Sequence, residues 1–254
     1  MTTLGGSAHA RPQPLLDRRG AEGVLEIAGA TVVADCAGAL FWPEQSVLVV
    51  ADLHLEKGSS FAARGVLLPP YDTAATLARL SRLILRYAPR TVVALGDSFH
   101  DGGGPARIGD EDRTTLTALQ RGRDWIWIAG NHDPEPVDGL GGVSAATIAV
   151  GALVFRHKPT SGSASGSASG TAAGEIAGHL HPVARVSARG RTVSRRCFVS
   201  DGARLVMPAF GAYAGGLNVR ARAFAHLFGT LNFTAHMLGE GRVYPITAKR
   251  CLRD

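Results

Sequence analysis

Cysteine is scarce in this chain: three in 254 residues (Cys36, Cys197 and Cys251), widely spaced and with no CxxC pair. That argues against a disulfide framework and a zinc knuckle, leaving ordinary packing or surface thiols. Long apolar runs are also missing. The longest, such as Thr147 to Phe155, fall far short of the roughly 20 residues needed to cross a bilayer. No positively charged start followed by an apolar core marks the N-terminus, so no secretory signal is expected and the chain is placed in the cytoplasm. Charged residues make up 19% against 45% hydrophobic, a balance that excludes a disordered polyelectrolyte. A chain of this length can bury a substantial core. Its net charge of +6 suits a polyanionic partner such as nucleic acid. A general bias towards Arg, Ala and Gly explains the charge equally well, so charge alone decides nothing.

What is present is a series of short buried strands that end in polar residues. Val47-Leu48-Val49-Val50-Ala51-Asp52-Leu53-His54 is an apolar run that stops at an acid and an imidazole two residues apart. It reads as a buried strand. If the chain stays extended, Asp52 and His54 point the same way, just past the carboxyl end where α/β sheets bind ligands. Upstream, residues 1–22 read as a poorly ordered tail. Val24 to Ala34 and Ala39 to Trp42 read as a hairpin about Asp35 to Gly38. Downstream, Glu56 to Ser60 reads as loop. Asp72 or Thr73 can cap a helix carrying Leu77, Leu80, Ile84 and Tyr87, which Pro89 ends.

Thr91 to Leu95 and Trp125 to Ala129 read as further buried strands, with a helix over Glu111 to Gln120 between them. This alternation predicts a largely parallel sheet with right-handed crossovers. The second half carries short strands at Thr147 to Val150, Leu153 to Phe155, Glu175 to Ala177, Thr192 to Phe198 and Arg204 to Val206. The Gly/Ser/Ala stretch at 160–171 reads as a flexible spacer, and residues 23–254 as one domain.

The strand ends form a constellation: Asp52-x-His54, Gly96-Asp97-x-x-His100-Asp101, Gly130-Asn131-His132-Asp133, then His157 and Gly178-His179-x-His181. The spacings of 45 residues (52 to 97) and 34 (97 to 131) each leave room for a crossover helix. Strands of one parallel sheet deliver their carboxyl ends to one edge, so the first three clusters converge. Mixed imidazole, carboxylate and amide donors suit Mn²⁺, Fe²⁺ or Zn²⁺ better than Ca²⁺.

The order of these blocks, from Val47 to His181, resembles the calcineurin-like metallophosphoesterase superfamily. More narrowly, Ala51 to Gly58, Gly96 to Asp101, Gly178 to Pro182 and Pro208 to Tyr213 resemble the bacterial ligase-associated DNA-damage-response endonucleases of the PdeM type. The resemblance implies a layered α/β/β/α sandwich of two mixed sheets packed face to face, with a dinuclear metal site at the strand carboxyl ends. It places one metal among Asp52, His54, Asp97 and His181, and the second among Asp97, Asn131, His157 and His179, with Asp97 bridging. It implies Mn²⁺ in the first place and a water, activated by both ions, that attacks phosphorus in line. His132 would then be the catalytic non-ligand, protonating the leaving oxygen, with His100 or Asp101 orienting it. Asp133 reads as a loop carboxylate. Lys57, Arg64 and Lys158 could contact phosphate, although single cations near a site are more often simply solvated. The resembling family often has an acid where Lys158 stands.

Implied activity is therefore hydrolysis of DNA phosphodiesters in repair. The substrate would be single-stranded or damaged DNA, with partners among ligase-associated repair proteins and no membrane. A homo-oligomer is compatible with the sequence. A rival of the same chemistry acts on nucleotides, cyclic nucleotides or other small phosphoesters, since no base-reading module is present. A rival of another class is a non-catalytic scaffold that binds partner proteins. The intact ligand positions weigh against it.

Overall fold

The computed structural model describes residues 23–134, 139–162, 174–188 and 190–254. The tail at 1–22 and most of the Gly/Ser/Ala spacer lie outside those residues. The chain runs β1 (Gly23–Ile27), β2 (Ala30–Ala34), β3 (Leu40–Trp42), β4 (Val47–Ala51), α1 (Lys57–Ala62), α2 (Asp72–Tyr87), β5 (Thr91–Leu95), α3 (Gly104–Arg107), α4 (Asp110–Gln120) and β6 (Asp124–Ile128). It continues with β7 (Val143–Ala145), β8 (Thr147–Val150), β9 (Leu153–Arg156), β10 (Gly174–Ala177), β11 (Pro182–Ala188), β12 (Arg191–Ser200), β13 (Arg204–Val206) and β14 (Leu217–Asn218). The last elements are α5 (Arg222–Phe228), β15 (Thr234–Gly239), β16 (Arg242–Thr247) and a short 3₁₀ turn at Ala248–Arg250.

Seven strands form a first sheet in chain order, β1 to β7. β4 to β7 are parallel, joined by crossovers, while β1 to β3 extend the sheet antiparallel. The second sheet is also mixed. Its path runs β14-β11-β12-β13-β10-β9-β8, with β15 and β16 paired on from β12. Within it β9, β10 and β13 are parallel.

Side-chain alternation builds the layers. Val47, Val49 and Ala51 of β4 turn inward and meet Leu153, Phe155, Ile176 and Phe198 of the second sheet. Leu48 and Val50 turn outward and meet Leu77, Leu80 and Ile84 of α2, with Leu116 of α4 in the same cluster. β4 is buried on both faces, which is why its sequence is continuously apolar rather than alternating. A third cluster packs α5 residues Phe224 and Phe228 with Val199, Val206 and Ala235 of the second sheet. The result is the α/β/β/α order.

Several expectations need correcting. Val24 to Ala34 is not one strand but a hairpin of its own, turning at Ala28 and Gly29, both at positive φ. Glu56 to Ser60 is not loop. α1 forms there because Asp72, far along the chain, accepts the N–H groups of Lys57 at 2.9 Å and Gly58 at 3.2 Å. The acid read as a cap for α2 thus caps α1, and α2 starts at Asp72 behind an N-cap, Tyr71, that makes no side-chain cap bond. Thr73 takes the Glu56 N–H at 2.9 Å and donates to its carboxylate. The tail beyond Ala221 resolves into α5 and the β15–β16 hairpin.

Candidate metal centre

Two parallel strand sets end at one edge. β4, β5 and β6 lead into Asp52, Asp97 and Asn131. β9 and β10, paired in register, lead into His157 and His179. The extended geometry expected for Asp52 and His54 is not what brings them together. Asp52 (φ 53°) and His54 (φ 43°) are left-handed, as are Asp97 (φ 45°), His179 (φ 72°) and His181 (φ 46°). Such backbone costs on the order of 1–3 kcal/mol per residue and persists only where the surroundings impose it. Here the loops bond laterally: Asp52 N to Gly96 O, His54 N to Asp97 O and Leu55 N to Ser98 O, at 3.2, 2.9 and 2.9 Å. Phe210 N and Gly211 N close on the carbonyls of Ala51 and Asp52, while Met207 N reaches Ala177 O. The segment from Met207 to Gly211 therefore ties the ends of β4 and β10 together.

Donor atoms of Asp52, His54, Asp97 and His181 lie within 4.8 Å of one another, as do those of Asp97, His157 and His179. Asp97 belongs to both groups. Asn131 joins the second, its Oδ1 2.9 Å from His157 Nε2. His54 Nε2 and His181 Nε2 are 3.3 Å apart, His181 Nε2 is 3.2 Å from Asp52 Oδ1, and His157 Nε2 is 3.4 Å from Asp97 Oδ1.

These donors fit divalent cations. His157 Nδ1 lies 2.9 Å from the Leu95 carbonyl, which can only accept, so its proton sits there and Nε2 presents a lone pair. That lone pair faces an amide oxygen and a carboxylate, an arrangement of acceptors that a cation satisfies. Burial, reinforced by His181, pushes His54 down to about 3. Burial, with His157 beside it, also lowers His179. Neutral imidazoles are what metal ligation requires. The structure therefore holds a candidate binuclear site of Asp and His residues.

Around it, His132 donates its backbone N–H to Asp97 Oδ1 at 2.9 Å, and its Nδ1 lies 3.0 Å from the His100 carbonyl. Its Nε2 is 3.9 Å from Asp97 Oδ2. His100 thus touches His132 through its carbonyl and a stacked ring at 5.5 Å. Asp101 is engaged elsewhere, by Arg107 at 2.7 Å and Arg64 at 3.9 Å. Lys57 Nζ bonds the Tyr213 carbonyl at 3.0 Å and lies over Phe61. Lys158 is exposed beside His157 and bears on His179. Asp133 is buried, accepts from the Ser98 and Phe99 N–H groups, and is raised to about 6 by burial.

Sequence reasoning missed the Leu95 carbonyl, which no side-chain motif announces, and Phe61, whose ring stands 5.6 Å from His100. It also passed over the closeness at two glycines. A Cβ on Gly130 would strike the Asp97 backbone and Oδ1. One on Gly96 would stand 2.5 Å from the His157 ring. The only signal was that each sits directly before a candidate ligand residue.

The sequence profile of the calcineurin-like phosphoesterase family matches residues 46–195, more than half of the chain and every proposed ligand. The chain belongs to the calcineurin-like metallophosphoesterases. Among solved structures, this metallophosphoesterase superposes on Pseudomonas putida nuclease MPE with a TM-score of 0.64 at 24% identity, covering 89% of this chain and 100% of that one. The E. coli phosphoesterase Yfce gives 0.39 at 13% identity over 80% and 98% of the two chains. A double mutant of Vps29 from Entamoeba histolytica gives 0.32 at 16% over 79% and 96%. Among curated proteins no match was found. No helix among the described residues is long and apolar enough to cross a membrane.

Proposed function

We propose that this metallophosphoesterase is a nuclease that hydrolyses DNA phosphodiester bonds with two divalent ions, Mn²⁺ foremost. We place it in ligase-associated DNA repair in the cytoplasm. One observation carries the hydrolytic reading: seven donors converge as two clusters sharing Asp97, with a non-ligand imidazole, His132, 3.9 Å from the shared carboxylate. Two bound ions would supply Lewis-acid polarisation of the phosphate and ease the ionisation of a water.

The remaining chemistry belongs to the chain. Because the His100 carbonyl holds the Nδ1 proton of His132, Nε2 is the atom free to give and recover a proton at the leaving oxygen. Asp97 keeps that imidazole in place through its backbone N–H. Asp52 orients the His179 segment by accepting its N–H at 3.0 Å. His100 acts here as a positioning residue, while Asp101 fixes Arg107 and Arg64. Lys57, Arg64 and Lys158 supply positive charge on the two flanks. The DNA reading draws on these cations, on the net charge of +6 and on the printed name of the Pseudomonas putida nuclease.

Metal-stripped protein given Mn²⁺ should hydrolyse both bis-p-nitrophenyl phosphate and single-stranded DNA. His132→Ala should slow both roughly 10²–10⁴-fold while metal content stays unchanged. Cleavage of the small diester alone would remove DNA as substrate and leave an esterase of small molecules. Unchanged turnover in His132→Ala would remove its catalytic role.

A further inference from the structure

A cavity of about 280 Å³ opens beside the second ligand cluster, bounded by Asn131, Thr147, Arg156, His157 and Lys158. Metal binding does not account for it. Its volume is at the small end of the ~300–1,000 Å³ found for ligand pockets, enough for one nucleotide unit but not for a base pair. Its wall carries two cations in different states. Arg156 is engaged by Glu175 at 3.2 Å. Lys158 has no hydrogen bond or ion pair within the described residues, is exposed, and directly follows His157 on the cavity wall. An ammonium of this kind is a mobile point charge suited to phosphate.

Position supplies the remaining argument. Asn131 and His157 belong both to the cavity wall and to the metal centre, so a chain held at the centre continues into the cavity without a gap. Ala129, Gly130 and Ala146 line the rest and leave the space open. On the side of the first cluster, Phe61 and His100 face each other with Lys57 and Arg64 over the Phe61 ring. The centre is therefore flanked by cations on both sides.

We propose that the cavity is a subsite for the nucleotide next to the scissile phosphate in a single-stranded nucleic acid, with the Lys158 ammonium paired to that nucleotide's far phosphate. This rests on the nuclease reading above. It assigns to Lys158 the choice of a polynucleotide over a simple diester.

The test is binding of a labelled oligothymidylate across a range of salt, by fluorescence anisotropy. It uses the full chain loaded with Mn²⁺ and carrying His132→Ala to slow cleavage. Adding Lys158→Ala should weaken binding roughly tenfold near 0.1 M salt and reduce the slope of log affinity on log salt by about 0.7, one single-strand phosphate contact. Lys158→Arg should restore both. Ala146→Trp, at an exposed wall position, should weaken binding by filling the space while leaving the salt slope alone.

Equal affinity and slope with Lys158→Ala would overturn the subsite while the nuclease reading stands. Thymidine 5′-monophosphate binding as tightly as the oligomer would overturn the assignment to a strand and point to free nucleotides. Absence of oligomer binding in every form, with bis-p-nitrophenyl phosphate still hydrolysed by the wild type, would remove the subsite and the nuclease reading together.

Discussion

At Gly130 the candidate metal centre leaves no room for a single methyl group. An alanine Cβ there would meet the backbone N and Oδ1 of Asp97, the carboxylate shared by both ligand clusters. Gly130→Ala should therefore displace Asp97 and lower bound metal well below the wild-type ratio. The fold should survive, at a cost of ~1–3 kcal/mol as for other overpacked sites. Elemental analysis beside circular dichroism checks this, and full metal content in the variant would contradict the crowding.

A second residue tests burial far from the site. His236 is pushed down to about 4 by burial, in a cavity shared with Glu26, Asp201 and Lys249. Its folded proton affinity is lower than in the unfolded chain, so the unfolded chain gains protons first as pH falls. The stability that His236 contributes is whole above about 6.5 and declines as pH drops towards 4, by roughly 2 kcal/mol after allowing for its partial exposure. His236→Gln should flatten the fall of Tm between those values relative to wild type. An unchanged profile would mean that the ring is solvated.

Among the elements, α1 shows why local reading stops short. Its residues Lys57-Gly58-Ser59-Ser60 have loop composition, and the helix exists through the Asp72 carboxylate brought up from α2. Asp72→Ala should cost about 0.5–2 kcal/mol, the usual worth of a cap. It should also loosen the Lys57 flank, which thermal unfolding and a raised KM for the proposed DNA substrate would register. No change in either would show the cap to be redundant. β4, β5, β6 and the strand Arg204–Val206 were legible because burial is written into their side chains, and Thr147–Val150 because Ile148 and Val150 alternate to one half-buried face.

The turn at Ala28-Gly29 and the left-handed turns at Asp52, His54 and Asp97 were not legible. Their conformations are imposed by hydrogen bonds between loops distant in sequence, so residue type alone carries no mark of them. The convergence of the first three blocks was legible, since parallel strands of one sheet must end at one edge. The placing of His157, His179 and His181 beside them, from the second sheet, rested on the family resemblance. What the sequence could not show is that the candidate ligands meet through strained turns rather than extended chain, or that His132 leans on a carbonyl of His100 while Asp101 serves Arg107.

Over the whole molecule, two mixed sheets share one inter-sheet core, and each contributes part of the centre. The first sheet brings Asp52, His54, Asp97 and Asn131. The second brings His157, His179 and His181, and the Met207 to Gly211 segment ties the two edges. Metal occupancy should therefore stabilise the pairing of the sheets as well as enable hydrolysis. The measurement that bears most directly on this account is a titration of metal-stripped protein with Mn²⁺, following bis-p-nitrophenyl phosphate hydrolysis and bound metal together. Hydrolysis that rises to saturation at about two equivalents, and is abolished together with tight binding in Asp97→Asn, is the predicted result. Turnover that ignores Mn²⁺, or none with any divalent ion, would contradict it.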